Sequence, residues 1–365
     1  MASETSPGTA ASTTSDTLAT YVTDYRMENG RRYHAYADGE YWVSASPHRI
    51  PSTEAECLSH AMYLETLGGE LHLAPVKNPR EILDVGTGTG IWAIQMADKF
   101  PEAQVTGTDL SPIQPDLVPC NCVFEIDDAS LDWTWEDNHL DYVHVREMFG
   151  SIRDWDLFFS EALRCIVPGG YVEIMEHSTW PVSDDDTLGP DHFFNTWGQT
   201  IEELGGKWGK SFNTWKESKA LLEKAGFVDV VEKRFKWPMN GWSQDPALKH
   251  LGELNRVRLV EHIQGFTMRL LTTAGKFSQW PLPRAHIFLA EMRNALKDLG
   301  CHAYQDRRYT EPTGQLNTPV WQLSCVQQNP QGPTTIVTVQ RDTLEQNSDR
   351  KSTGTEVPDA DLASN

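Results

Sequence analysis

The chain predicts an α/β fold: a mostly parallel sheet covered by helices on both faces. Three observations predict it. A glycine-rich turn, Gly86-Thr87-Gly88-Thr89-Gly90, stands between a short apolar run and an amphipathic one. Short apolar runs and helical periodicity then alternate as far as about residue 240. Acidic residues follow three successive apolar runs. Strands that alternate with helices argue for βαβ units and a parallel sheet.

The elements follow in order. "EILDV" is a short buried strand. "GIWAIQMADKF" carries Ile91, Ile94, Met96 and Ala97 at helical spacing. "AQVTGTDL", "CVFEIDDA" and "LDYVHVREM" are the second, third and fourth strands. "WDLFFSEALRCI" is a helix with Phe158, Ala162, Cys165 and Ile166 on one face. "PGGYVEIMEH" is a turn and a fifth strand. "TWKESKALLEKAGF" is a helix that stops at Gly226, a residue suited to the left-handed position after the C-cap. "VDVVEKRFKWP" is a sixth strand. From Pro246 to Leu299 the alternation gives way to two long helices, expected to roof the site. The aromatic-rich stretch Tyr21 to Leu73 is expected to pack there too.

The 365 residues permit one large domain or two. The formal charge is −21, from 52 acids against 31 bases. Such a surface repels phosphate backbones, so direct nucleic-acid binding is disfavoured. The six cysteines, Cys57, Cys120, Cys122, Cys165, Cys301 and Cys325, form no C-x-x-C pair and read as thiols in a reducing compartment. No apolar run approaches the ~20 residues of a membrane span. The N-terminus lacks the pattern of a secretory signal. A cytoplasmic or nuclear protein with no membrane partner is expected. Residues 1–20 are rich in Ser, Thr and Ala, and 326–365 are mostly similar apart from "TTIVTV". Both are expected to be disordered, because they bury too little apolar surface to offset the ordering entropy. Between them lie a cap segment at 21–79, a core at 80–240, and a helical insert with the end of the core at 241–325.

The glycines Gly86, Gly88 and Gly90 alternate, unlike the G-x-G-x-x-G of dinucleotide binders. Glycine lets the backbone turn tightly and approach a ligand closely. The acid before the loop, Asp84, repels a pyrophosphate and suits a cation, such as the amino group of S-adenosylmethionine. Asp109 ends the second strand, about twenty residues after the glycines, where a carboxylate typically takes a ribose hydroxyl pair. Asp127 and Asp128 end the third strand. They can accept from an adenine amino group or position the amide of Ala129 against the ring. Ligands of open α/β sheets bind at this carboxyl edge. Thr87, Leu110 and Arg146 complete the candidate cofactor set. The bland alternative makes Asp109 a helix-capping partner and Asp127-Asp128 a solvated turn. The glycine spacing and Asp84 argue against a nicotinamide-dependent dehydrogenase.

The strings "ILDVGTGTGIWAIQMAD", "VTGTDLSPIQPDLVPCNCVFEIDDA", "DYVHVREMFGSIRDW" and "EALRCIVPGGYVEIMEH" resemble class I S-adenosylmethionine-dependent methyltransferases, more narrowly the LaeA-like enzymes of filamentous fungi. "LLEKAGFVDVVEKRFKWPMNGW", "DPALKHLG" and "NGRRYHAYADGEYW" extend the match over most of residues 25–303. The resemblance implies a Rossmann-like seven-stranded sheet with its last strand antiparallel. It assigns Asp84, Gly86, Gly88, Gly90, Asp109 and Asp127 or Asp128 to the cofactor. It also implies a place in secondary metabolism, as an enzyme on a small molecule or as a regulator acting through velvet-type protein partners or protein methylation. After "HAY" at His302 to Tyr304 the chain turns polar and meets Pro312, so "TPVWQLSCV" or "TTIVTVQ" is a candidate closing strand.

Methyl transfer from a sulfonium needs the nucleophile held close and in line, with water excluded. A base is needed only when the nucleophile must lose a proton. Arg146, Glu147 and Met148 follow the fourth strand, and Glu176 and His177 follow the fifth. His177 and Glu176 are the candidate catalytic residues, with a packed strand-end histidine the alternative. His144 reads as structural, and His60 as a candidate for the substrate side. The acids of "SDDDTLGP", Ser183 to Pro190, do not converge on one ion unaided, so no metal is expected. Trp180, Trp197, Trp208, Trp215, Trp237 and Trp242 read mostly as core, a few facing a flat or apolar acceptor.

Overall fold

The computed structural model describes residues 26–28, 31–33, 51–272, 280–312 and 340–341. Two short strands, β1 (Arg26–Glu28) and β2 (Arg31–Tyr33), pair antiparallel. Helix α1 (Pro51–Thr66) leads into β3 (Glu81–Val85). Then come α2 (Ile91–Lys99), β4 (Gln104–Asp109), β5 (Cys122–Ile126) and β6 (Leu140–Arg146). Helix α3 (Trp155–Cys165) runs directly into β7 (Ile166–His177). Next are α4 (Phe193–Trp208), α5 (Thr214–Ala225), β8 (Phe227–Val228) and β9 (Val230–Pro238). Two further helices, α6 (Pro246–Thr272) and α7 (Leu282–Ala295), precede β10 (Tyr304–Pro312) and β11 (Gln340–Arg341).

Seven strands form one sheet in the order β5-β4-β3-β6-β7-β10-β9. The neighbours from β5 to β7 run parallel, and β10 runs antiparallel to both β7 and β9. This is the seven-stranded, Rossmann-like arrangement with an antiparallel last strand.

Burial explains the order of the elements. The face of α3 that carries Phe158, Phe159, Ala162 and Cys165 packs with Leu222 of α5 on Leu83, Val143, Val145 and Ile174 of the sheet. On the other face Trp92, Ala93 and Met96 of α2 meet Ile82, Val105 and Tyr142. Burying a side chain such as Phe158 contributes roughly 1.5–3 kcal/mol. Ile91 and Ile94, expected in this seam, are only half-buried; Trp92 and Ala93 take the place. Gly226 caps α5 with φ 109°, as its position in the sequence predicts. Helices α4, α6 and α7 form a separate apolar cluster that includes Trp197, Ile201, Ile263, Phe288 and Met292.

The closing strand corrects the sequence. "TPVWQLSCV" lies outside the described residues, as does "TTIVTVQ" except for Gln340. The strand that closes the sheet is the polar "YQDRRYTEP". The charges at Asp306, Arg307 and Arg308 are paired with side chains on or beside the neighbouring strands. Asp306 binds Arg234 through two nitrogens, Arg307 binds Glu147 at 2.6 Å, and Arg308 binds Glu232 at 3.0 and 3.1 Å. Hydropathy patterning is blind to a strand whose buried side chains neutralise one another. Pro312 marks its end.

The expectations for the tails at 1–20 and 326–365 fall outside the described residues apart from Gln340–Arg341, as do parts of the 21–79 and 241–325 segments. Among the described residues no helix is long and apolar enough to cross a membrane.

Candidate active site

A cavity of about 240 Å³ lies at the carboxyl ends of the parallel strands. One end is built by the loops after β3, β4 and β5. The other passes the end of β6, reaches His177 at the end of β7, and is closed by α6 and α7.

The glycine loop has the backbone it requires. Gly86, Gly88 and Gly90 have φ of 69°, 58° and 78°, a region side chains disfavour. A Cβ on Gly86 would overlap the sulfur of Met148. The Gly88 amide donates to Asp109 Oδ2 at 2.9 Å, and the Thr87 amide donates to the Thr108 carbonyl at 2.9 Å, tying the loop to β4. Asp109 Oδ1 also accepts from the Ser111 amide at 3.0 Å. Burial pushes the Asp109 carboxyl up to about 6 despite these bonds. Gly86, Thr87, Gly88, Asp109, Leu110, Asp127, Asp128, Ala129 and Arg146 all line the cavity. The Asp127 carboxyl is also raised, chiefly by burial.

Three expected site residues stand elsewhere. Asp84 does not line the cavity. Its Oδ2 accepts from Thr87 Oγ1 at 2.6 Å, and its Oδ1 lies 2.7 Å from His144 Nδ1. Asp84 and His144 are registered partners on adjacent parallel strands, so the carboxylate points along the sheet face and braces the loop from behind. Gly90 is the N-cap of α2, and a Cβ there would overlap the ring of Phe124. Glu176 is buried away from the cavity. Its oxygens accept from the Met148 and Phe149 amides at 2.8 and 3.3 Å, so it anchors the turn after β6. Burial, with the neighbouring Glu147 charge, holds Glu176 far above the usual carboxylate range.

His177 does face the cavity. Its Nδ1 lies 2.9 Å from the Ser178 carbonyl, its ring meets Phe149 edge-on at 4.6 Å, and its Nε2 is 4.0 Å from Glu147 Oε1. Burial, then the Arg307 charge, pulls its pKa down to about 3. A base that weak is poorly matched to removing a proton near neutral pH. The site therefore suits an acceptor that arrives ionised or needs no deprotonation. Glu147 holds a left-handed backbone, φ 55°, and a carboxylate shared by Arg307 and, at 2.8 Å, the Tyr63 hydroxyl.

His144 is structural, as read from the sequence: it stacks on Trp92 with ring centroids 3.7 Å apart. His60 bonds Gln95 at 3.0 Å and lies 3.3 Å from Arg146 Nη1. It does not line the cavity. The acids of Ser183 to Pro190 face the sheet end instead. Asp184 meets Lys236 and the Tyr304 hydroxyl, and Asp185 meets His302 at 2.7 Å. Among the described residues no His, Cys, Asp and Glu group converges on a metal position. Of the six tryptophans, Trp197 lines the cavity.

Several cavity residues escape the sequence. Glu56 of α1 accepts from the Thr89 amide at 2.9 Å and sits beside the glycine loop. Burial, then the Asp109 charge, raises its carboxyl to about 7. The Pro-Ser-Thr start and the Gly68-Gly69 stop announce a helix at 51–66, but nothing local points Glu56 at a loop 33 residues away. Arg258, His262 and Gln305 also line the cavity. A charged residue in a long helix reads as a solvated face until the packing is known.

A family model described as a methyltransferase domain matches residues 62–232. A methyltransferase of Aspergillus terreus, pytC, is 38% identical over 259 residues, 70% of this chain and 78% of its own length. The secondary metabolism regulator LAE1 of Cochliobolus heterostrophus is 34% identical, across 77% of this chain and 92% of its own. The laeA protein of Emericella nidulans, named a protein-methionine methyltransferase, is 28% identical, across 77% and 74%.

Proposed function

This chain belongs to the LaeA-like methyltransferases of fungi, and we propose that it methylates a small, largely apolar acceptor held between its sheet and its helical cover. It is an S-adenosylmethionine-dependent enzyme, and the cofactor supplies an electrophilic methyl group on a sulfonium. The residues present fit that cofactor. Asp109 offers a carboxylate to a ribose diol, the positive-φ glycines let the backbone come close, and Asp127, Asp128 and Ala129 border the place of a base. Arg146 stands at the end of β6, between the two halves of the cavity.

The observation that carries the reading is the continuity of the cavity. It runs from Asp109 to His177 and on to Trp197 and Met292. His177, held neutral by burial, offers a hydrogen-bonding ring without adding charge. The test is transfer of labelled methyl into a fungal extract, with the products sized. Label in small apolar compounds is the expected result; label confined to protein bands overturns the small-molecule acceptor.

A protein acceptor is the second reading. It draws on the relative named a protein-methionine methyltransferase, and on the weak base, since a thioether has no proton to lose. A regulatory role through velvet-type partners is a further form of it, motivated by the relative named a secondary metabolism regulator. Recovery of partner proteins without methyl transfer would favour that form.

A further inference from the structure

Arg258 is a guanidinium inside the molecule with no carboxylate of its own. It lies in the middle of α6 and is 2% exposed. Its Nε and Nη2 donate to Asn255 Oδ1 at 3.2 and 3.0 Å, and Nη2 also donates to Gln305 Oε1 at 2.9 Å. Among the described residues nothing accepts from Nη1, which is not sealed from the cavity that Arg258 lines.

The neighbouring carboxyls are committed. Glu147 binds Arg307 at 2.6 Å and the Tyr63 hydroxyl at 2.8 Å. Glu176 accepts two backbone amides and is held toward its neutral form. Arg258, Arg307 and Glu147 therefore carry one more positive than negative charge, and Arg258 shares Glu147's field with Arg307 and lies 5.6 Å over the Trp237 ring, which offsets that excess only in part. An unpaired buried charge costs several kcal/mol unless something offsets it. Burial lowers Arg258 only to about 10, so it stays charged near neutrality.

This charge sits on the acceptor side. Gln305 is on β10, three strands from the glycine-loop strand β3. At about 4.8 Å per strand the separation is roughly 14 Å. The cavity there combines apolar Trp197, Leu259, Ile263 and Met292 with the polar His262 and Thr267.

We propose that Arg258, seated by Asn255 and Gln305, is the anion-recognition end of the acceptor site, and that the acceptor is a small apolar molecule bearing an ionised oxygen acid. The inference rests on the methyltransferase reading and narrows its substrate class.

The test is calorimetric binding of naphthoate and of naphthylmethanol, a charged and a neutral probe of one shape, to the full chain saturated with S-adenosylhomocysteine. The wild type is expected to bind naphthoate about 10-fold more tightly than the alcohol. Arg258→Met is expected to erase that preference and Arg258→Lys to keep part of it, each with S-adenosylhomocysteine affinity unchanged. If Arg258→Met fails to fold, the same loss read in Gln305→Leu carries the test. Equal wild-type affinities for the two probes overturn the proposal. So does an Arg258→Lys protein that loses S-adenosylhomocysteine while keeping its preference for naphthoate, which would assign the guanidinium to the cofactor. Failure of the folded wild type to bind S-adenosylhomocysteine would instead overturn the methyltransferase reading itself.

Discussion

Asp84 and His144 face each other across adjacent parallel strands, with Oδ1 and Nδ1 2.7 Å apart. The other carboxylate oxygen holds the Thr87 hydroxyl. The acid that a sequence reading puts against the ligand is thus a brace beneath the loop. Asp84→Ala strips two buried donors of their acceptor and is expected to cost roughly 2–4 kcal/mol. Denaturant unfolding measures it. Unchanged stability with a selective loss of S-adenosylhomocysteine binding would return Asp84 to the ligand.

Gly86→Ala places a methyl group against Met148 and forces a side chain into positive φ. Backbone strain of this kind costs about 1–3 kcal/mol. The loop is expected to shift and cofactor-analogue affinity to fall about 10-fold or more. Calorimetry that finds wild-type affinity would show the loop to be softer than its geometry implies.

The carboxyls of Asp109 and Glu56 are raised by burial to about 6 and about 7. Raised folded-state values favour the protonated forms, so ionising these groups costs stability as pH climbs through that window. A ribose diol donates to the ionised form of Asp109. S-adenosylhomocysteine affinity should therefore rise between about pH 5 and about pH 8. Asp109→Asn should bind weakly and flatten the profile. A flat wild-type profile would contradict the assignment.

His177 and Glu176 are sequence neighbours with different surroundings. His177→Ala is expected to lower transfer by about 10² or more through lost positioning, with cofactor affinity intact. Glu176→Ala removes the acceptor of the Met148 and Phe149 amides and should lower stability while sparing the turnover of the folded fraction. Steady-state kinetics beside thermal melts separate the two. The opposite pattern would exchange their roles.

Asp306 is buried at 2% exposure against Arg234 in the closing strand pair. Asp306→Ala leaves Arg234 without its partner, but that guanidinium is 39% exposed and turns to water, so the expected cost is roughly 1–2 kcal/mol. Urea unfolding tests it. A loss under about 1 kcal/mol would mean the strand is held by its backbone ladder alone.

The sequence by itself determined the elements that follow local rules. Apolar runs and helical spacing marked β3 to β7, α2, α3 and α5, and alternating glycines with Asp109 and Asp127-Asp128 marked one wall of the cavity. Those signals are legible because burial is periodic along a chain and a tight turn demands glycine. Tertiary structure alone decided the rest. It turned Asp84 and Glu176 away from the cavity, brought Glu56 over the glycine loop, and set Arg258 beside Gln305. It also admitted the polar Tyr304–Pro312 strand to the sheet. Each of these depends on a charge meeting a partner far away in the chain. No window of sequence contains both members of such a pair, so their neutrality, or its absence at Arg258, exists only once the chain has folded.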